Sequence, residues 1–195
     1  MKTPGLILLG LLCAGPAAAA PVFLPTRDVS INYELSTPGQ PTQNYTLDYN
    51  AASERARVEN PAQGGIYFLL NLPQGQAQVI VPALHAIVEA PDFSSLTHMI
   101  FTADNANFTP LGRGHYAGMA CQKYLVLNTQ GSGTACITAD GVVLHFSGHD
   151  AHGSADITAN SVTFTSEPPN NFAAPSAFSN ITLPPGALAA LLQSN

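Results

Sequence analysis

The sequence predicts a mainly β domain built on an antiparallel meander, sandwich or barrel-like. Three observations predict it. Apolar and polar side chains alternate along much of the chain, Pro, Gly and Asn punctuate that alternation at short intervals, and only two short stretches carry helical spacing.

The first element is expected to leave the mature protein. Lys2 is a basic start, Gly5 to Leu12 is almost wholly apolar, and small residues run from Ala14 to Ala20. That order is a secretory signal peptide over residues 1–19. Its apolar run is about half of the roughly 20 residues a membrane-spanning helix needs. Cleavage is expected after Ala17-Ala18-Ala19, because cutting after Ala20 would leave Pro21 at the new terminus. Cys13 follows Leu12, where a lipidation signal wants a small residue. Residues 20–195 then form a single β-rich domain.

The first strand group opens with Val29, Ile31, Tyr33 and Leu35 on one face and Ser30, Asn32 and Glu34 on the other. Tyr45, Leu47 and Tyr49 repeat this against Asn44, Thr46 and Asp48, after a turn marked by Pro38, Gly39 and Pro41. Further strands are expected at about 54–59, 65–71, 76–81 and 84–89, between Asn60-Pro61, Gly64-Gly65, Pro73-Gln74-Gly75 and Pro82. Asp92 can cap a short helix over 92–101, in which Phe93, Leu96, Met99 and Ile100 recur at helical spacing.

The second strand group is expected near 106–109, 113–116, 119–127, 134–139, 142–147 and 155–165. Asp140-Gly141 between two apolar runs predicts a two-residue type I′ hairpin, pairing Ala139 with Val142, Ile137 with Leu144 and Cys136 with His145. From about 166 the Pro- and Asn-rich tail is expected to run irregularly over the surface. A last short helix would carry Leu188, Leu191 and Leu192.

Composition narrows the function. Charged residues make up 9% of the chain against 46% hydrophobic, so folding is favoured over disorder. Losing Lys2 moves the net charge from −6 to −7, which argues against nucleic acid as a partner. No second apolar run is long enough to be a transmembrane segment. Three sequons, at Asn44, Asn107 and Asn180, would be glycan sites only in a eukaryotic secretory pathway.

Candidate chemistry is sparse. Cys121 and Cys136 are the only cysteines after cleavage, and an even count in an exported chain implies a disulfide. Direct pairing of the two would centre a turn near Asn128-Thr129 and put Gly131 and Gly133 in or beside a strand. His145, His149, Asp150 and His152 could ligate a metal through imidazole nitrogens and a carboxylate, or be a polar loop between Gly148 and Gly153. A hydrolase would want a G-x-S-x-G elbow, which is absent; Gly131-Ser132-Gly133 reads as turn chemistry. Tyr33, Tyr45, Tyr49, Tyr67 and Phe68 cluster in the first strand group. They are either ordinary core or the lining of a cavity for an apolar, lipid-like ligand, whose polar end the tyrosine hydroxyls would meet. No cofactor is implied.

One local pattern carries a resemblance. Gly114-His115-Tyr116-Ala117-Gly118-Met119-Ala120-Cys121, followed by Cys136-Ile137-Thr138-Ala139-Asp140-Gly141-Val142-Val143-Leu144, resembles small proteobacterial exported proteins with a lipoprotein-carrier (LolA-like) half-barrel layout. The motif covers about 30 residues, and the strand–helix–strand layout extends the likeness over the mature chain. It implies a curved antiparallel sheet with one or two short covering helices and a periplasmic or secreted location, and it carries over no catalytic residue. His145 stands where the pattern has a basic residue such as Arg. The resulting expectation is a non-catalytic β domain that binds an apolar ligand or an envelope partner. The alternatives are a metal-binding protein and an exported hydrolase.

Overall fold

A computed structural model describes residues 21–89, 106–129, 131–150 and 153–182. The signal segment 1–19 and both predicted helices, at 92–101 and around Leu188, Leu191 and Leu192, lie outside these residues. Among the described residues there is no α-helix, and the helical elements are short 3-10 turns at Leu72–Gln74, Pro82–Leu84 and Pro169–Phe172.

The alternating segments form strands because each has one apolar edge to bury. Strands β1 (Val29–Ser36), β2 (Gln43–Asn50), β3 (Arg55–Glu59), β4 (Tyr67–Asn71), β5 (Gln76–Val81) and β6 (Ala86–Glu89) form a first meander. A second comprises β7 (Asn107–Tyr116), β8 (Met119–Leu127), β9 (Gly131–Ile137), β10 (Val143–Asp150) and β11 (Gly153–Thr163), and β12 (Ser179–Ile181) follows. The two meanders are one mainly β, open, curled sheet in the order β12-β6-β5-β4-β3-β2-β1-β11-β10-β9-β8-β7. Antiparallel pairing of β1 with β11 joins them, with Ile31 opposite Val162 and Tyr33 opposite Ala159.

Several expectations change. The strands expected at 106–109 and 113–116 are one strand, β7, with a register shift between Pro110 and Gly112. Pro110 donates no N–H, and an edge strand has one row of N–H groups that needs no partner. The Asp140-Gly141 hairpin is not type I′, because only Gly141 has positive φ, +83°. Gly141 N–H donates to Thr138 O at 3.1 Å and Thr138 N–H to Val142 O at 2.9 Å, so the loop has three residues. A type I turn ending in a left-handed glycine uses the same dipeptide. The extra residue shifts the ladder: Cys136 faces His145 as expected, but Ile137 faces Val143 and a bulge follows. Type I′ geometry belongs instead to Ala117-Gly118, at φ +47° and +73°, between Tyr116 and Met119. The tail is not wholly irregular. Phe172 is buried, and β12 pairs in parallel with β6, placing Asn180 opposite Ile87.

Apolar residues fill one face of the first meander throughout and both faces of β4–β6. The larger cluster holds Val29, Ile31, Tyr49, Phe68, Leu70, Val79 and Val88, continuing to Cys136, Leu144 and Ala159. Tyr67, Leu69, Ile80 and Ile87 point the other way, where Ala174 and Phe178 of the tail pack on them. We call these the first and second faces. Strands β4–β6 are thus double-covered, which accounts for their near-continuous apolar runs.

Candidate functional site

The register sorts the five aromatic candidates. Tyr33 faces Tyr45 and Val29 faces Tyr49 across β1–β2, and Phe68 belongs to the same cluster as Tyr49. Tyr67 does not join them. Successive side chains of a strand point to opposite faces, so Tyr67 and Phe68 cannot line one cavity. Tyr67 sits on the second face, with the Arg57 guanidinium 3.8 Å from its ring centroid and Glu59 bonded to that guanidinium at 2.8 Å.

The hydroxyls of Tyr33 and Tyr45 are engaged inside the protein. Tyr33 reaches across β11 and donates to Val143 O at 2.7 Å, and burial pushes its phenol well above the ordinary range. Tyr45 donates to Gln43 Oε1. Tyr49 is buried, and its phenol is pushed up to about 12 by burial first, then by the Glu54 and Asp28 carboxylates. What the first face leaves half-covered is aliphatic and aromatic. Leu24, Leu47, Val58, Met119, Val162 and Phe164 pack against the buried cluster without being fully enclosed. Alternation within the predicted strands 54–59 and 155–165 marks Val58 and Val162 as candidates, but their shared face needs the β1–β11 pairing.

The histidine candidates are held apart. Residues 143–150 form β10, not a loop, so His145 and His149 stand about 13 Å apart at 3.3 Å per residue. Two ligands of one zinc each lie about 2 Å from it. His145 stacks on Tyr116 with ring centroids 4.7 Å apart, and its Nε2 lies 3.1 Å from Asp156 Oδ2. Asp150 alternates to the face opposite His149 and accepts from Gly153 N–H at 3.1 Å. His152 lies outside the described residues. His149 is opposite Ser132, with Nε2 3.5 Å from Oγ. That contact is at the limit of hydrogen bonding and lies on an exposed stretch of the sheet. Gly131 and Gly133 lie within β9, in the ladder, rather than in a nucleophile loop.

Cys121 and Cys136 are disulfide-bonded, with Cα atoms 5.4 Å apart. They are not directly opposite: Cys136 faces Lys123, so the bond runs diagonally between β8 and β9. The β8–β9 turn is accordingly displaced towards Gly131 from the expected Asn128-Thr129 centre. The surrounding motif now has a structural reason at each position. Gly114 leaves room for the sulfur, since a Cβ there would lie 2.6 Å from Cys136 Sγ and 2.7 Å from Lys123 Cε. Tyr116 supports His145, and Ala117-Gly118 make the turn.

No protein-family model and no curated protein matches the sequence. Solved structures do match in fold. An uncharacterized conserved protein from Thermus thermophilus superposes with a TM-score of 0.58 at 12% identity, covering 81% of this chain and 91% of that one. Pseudomonas aeruginosa MucB in complex with MucA gives 0.54 at 12% identity, over 82% of this chain and 62% of that one. MucB alone gives 0.55 at 12% identity, over 86% and 66%. MucB has a LolA-like fold. This chain shares that fold. This chain spans less than two thirds of MucB's length, and at 12% identity the likeness speaks for architecture alone.

Proposed function

We propose that the mature chain is a non-catalytic, exported binding domain that takes an apolar, lipid-like ligand on the first face of its LolA-like half-barrel. The observation that carries this is the half-covered apolar margin of the first face, formed by Leu47, Val58, Met119, Val162 and Phe164 around a buried cluster. Burying such a side chain fully from an exposed state is worth about 1.5–3 kcal/mol, and completing the burial of these partly covered ones contributes a fraction of that each, so a hydrocarbon chain laid along the margin is stabilised without polar contacts. The engaged hydroxyls of Tyr33 and Tyr45 favour a plain apolar ligand over one whose head group these tyrosines would bind. Tyr49 and Phe68 contribute the floor. The disulfide fits an oxidising, periplasmic or extracellular compartment.

A second reading has its own observation. MucB is solved together with MucA, so this fold accommodates a protein partner, and an envelope protein could occupy the same face. One experiment separates the two. An uncharged naphthylamine dye should brighten on binding the mature protein and be displaced by palmitate. Leu47→Asp should abolish both effects while the protein still melts cooperatively. Dye binding that palmitate does not displace, or no dye binding by a natively melting protein, would leave the partner-binding reading.

A further inference from the structure

We propose a second ligand site on the opposite face of the sheet, a small cleft for a carboxylate that bears a short apolar group. It does not depend on the first-face reading. Pairing of Arg55 with Asn71 and of Asn71 with Gln76 makes a cross-strand row over β3, β4 and β5. One row along, Leu69 faces Gln78. The 3-10 turn of the tail lies against β3, and Phe172 and the two alanines after it overhang these rows. Together they line an open cleft of about 230 Å³.

The chemistry of the lining is divided. Leu69 and Phe172 are buried and form an apolar wall. Arg55 is the cation of the cleft. Arg27 is held by Asp140 at 3.2 Å and Arg57 by Glu59 at 2.8 Å, whereas Arg55 makes no such ion pair among the described residues. In a mature chain of net charge −7, a partly buried arginine with no carboxylate partner among the described residues is a local anion site. A planar fork of N–H donors matches a carboxylate. Two neighbouring amides are already committed: Asn71 Nδ2 donates to Gln74 Oε1 at 2.7 Å and Gln78 Nε2 to Glu89 Oε1 at 2.8 Å. Gln76 is exposed at the rim, where its amide can donate to the same carboxylate.

Size sets the ligand class. The cavity equals the liquid volume of roughly eight waters and falls below the roughly 300 Å³ at which drug-sized pockets begin. The cleft is too small to take up a long acyl chain whole, whereas a carboxylate on a four- to six-carbon apolar group fits within it. Two sources share that chemistry, a free short-chain acid and the C-terminal residue of a peptide.

The test is calorimetric titration of the mature protein with hexanoate, hexanol, and an acetylated Ala-Leu dipeptide with free or amidated C-terminus. Saturable hexanoate binding is expected, at least 10-fold tighter than hexanol and weakened by salt. Tighter binding of the free-acid dipeptide than of hexanoate would identify a peptide terminus as the source, and the reverse order a free acid. Arg55→Gln should weaken hexanoate at least 10-fold and leave dye binding on the first face unchanged. If Arg55→Gln fails to fold, exposed Gln76→Glu decides, since its carboxylate should compete for Arg55 and abolish binding. No saturation by about 20 mM hexanoate, equal affinity for hexanol, or undiminished binding in a folded variant would overturn the site.

Discussion

Gly141 sits at φ +83°, and a Cβ there would press into the Leu24 carbonyl, where the N-terminal segment crosses the hairpin. Thr26 N–H donates to Asp140 O at 2.9 Å at the same crossing, so the backbone cannot simply withdraw. Gly141→Ala should therefore combine left-handed strain with a steric clash and cost at least about 2 kcal/mol, read as a shift of the urea midpoint. Tyr49 gives a pH prediction. Its phenol titrates near 12 in the folded protein and near 10 when unfolded, so folding favours the neutral form. Its contribution is complete below about pH 10 and is lost as pH rises through 12. Tyr49→Phe should flatten part of the stability loss between pH 10 and 12, and an unchanged slope would contradict the assignment. At this scale the sequence was partly legible. The Asp140-Gly141 dipeptide announces a turn, but two turn types share it, and the approach of Leu24 decides nothing until distant segments meet.

The strands were the most legible elements, because alternation is a local property of a half-buried sheet. Bulges and edges were not. Pro110 reads locally as a strand break, yet it lies inside β7 because that strand is the sheet's edge. Likewise the histidine segment reads as a glycine-flanked loop, yet pairing on both sides extends β10 to Asp150. The disulfide staples the β8–β9 hairpin across a separation of 15 residues. Replacing both cysteines, Cys121→Ser with Cys136→Ser, should cost about 3 kcal/mol by loop-closure entropy. The check is denaturant unfolding with and without reductant. Reductant should lower the midpoint of the native protein and leave the double variant unmoved.

At the scale of the whole molecule, Asp28 fastens three distant segments. Its Oδ1 accepts from Ala51 N–H at 2.9 Å, and its Oδ2 from Asn50 Nδ2 and Glu167 N–H, both at 3.0 Å. One carboxylate thus ties the entry to β1, the β2–β3 turn and the start of the tail. Asp28→Ala should cost about 2–4 kcal/mol, since hydrogen bonds to a charged group are worth more than neutral ones and their donors are left partly buried. It should also release the tail, seen as faster proteolysis after Glu167. Unchanged stability and cleavage would show that the clasp is dispensable. The tail also covers the second face through Ala174 and Phe178 and roofs the Arg55 cleft, so its loosening should weaken hexanoate binding as well.

The sequence by itself determined the mainly β class, the position of nearly every strand in the described residues and the two cysteines available to pair. These depend on alternation, turn residues and counting, all of which act over a few neighbours or none. Only the tertiary structure decided that two meanders make one sheet, because β1 and β11 meet over more than a hundred residues of chain. It alone brought the tail onto the second face beside Tyr67, gave that tail a strand, and left Arg55 without an ion pair among the described residues. The physical reason is that strand pairing is satisfied equally well by many partners. The choice among them falls to the burial of whole faces, which no local window contains.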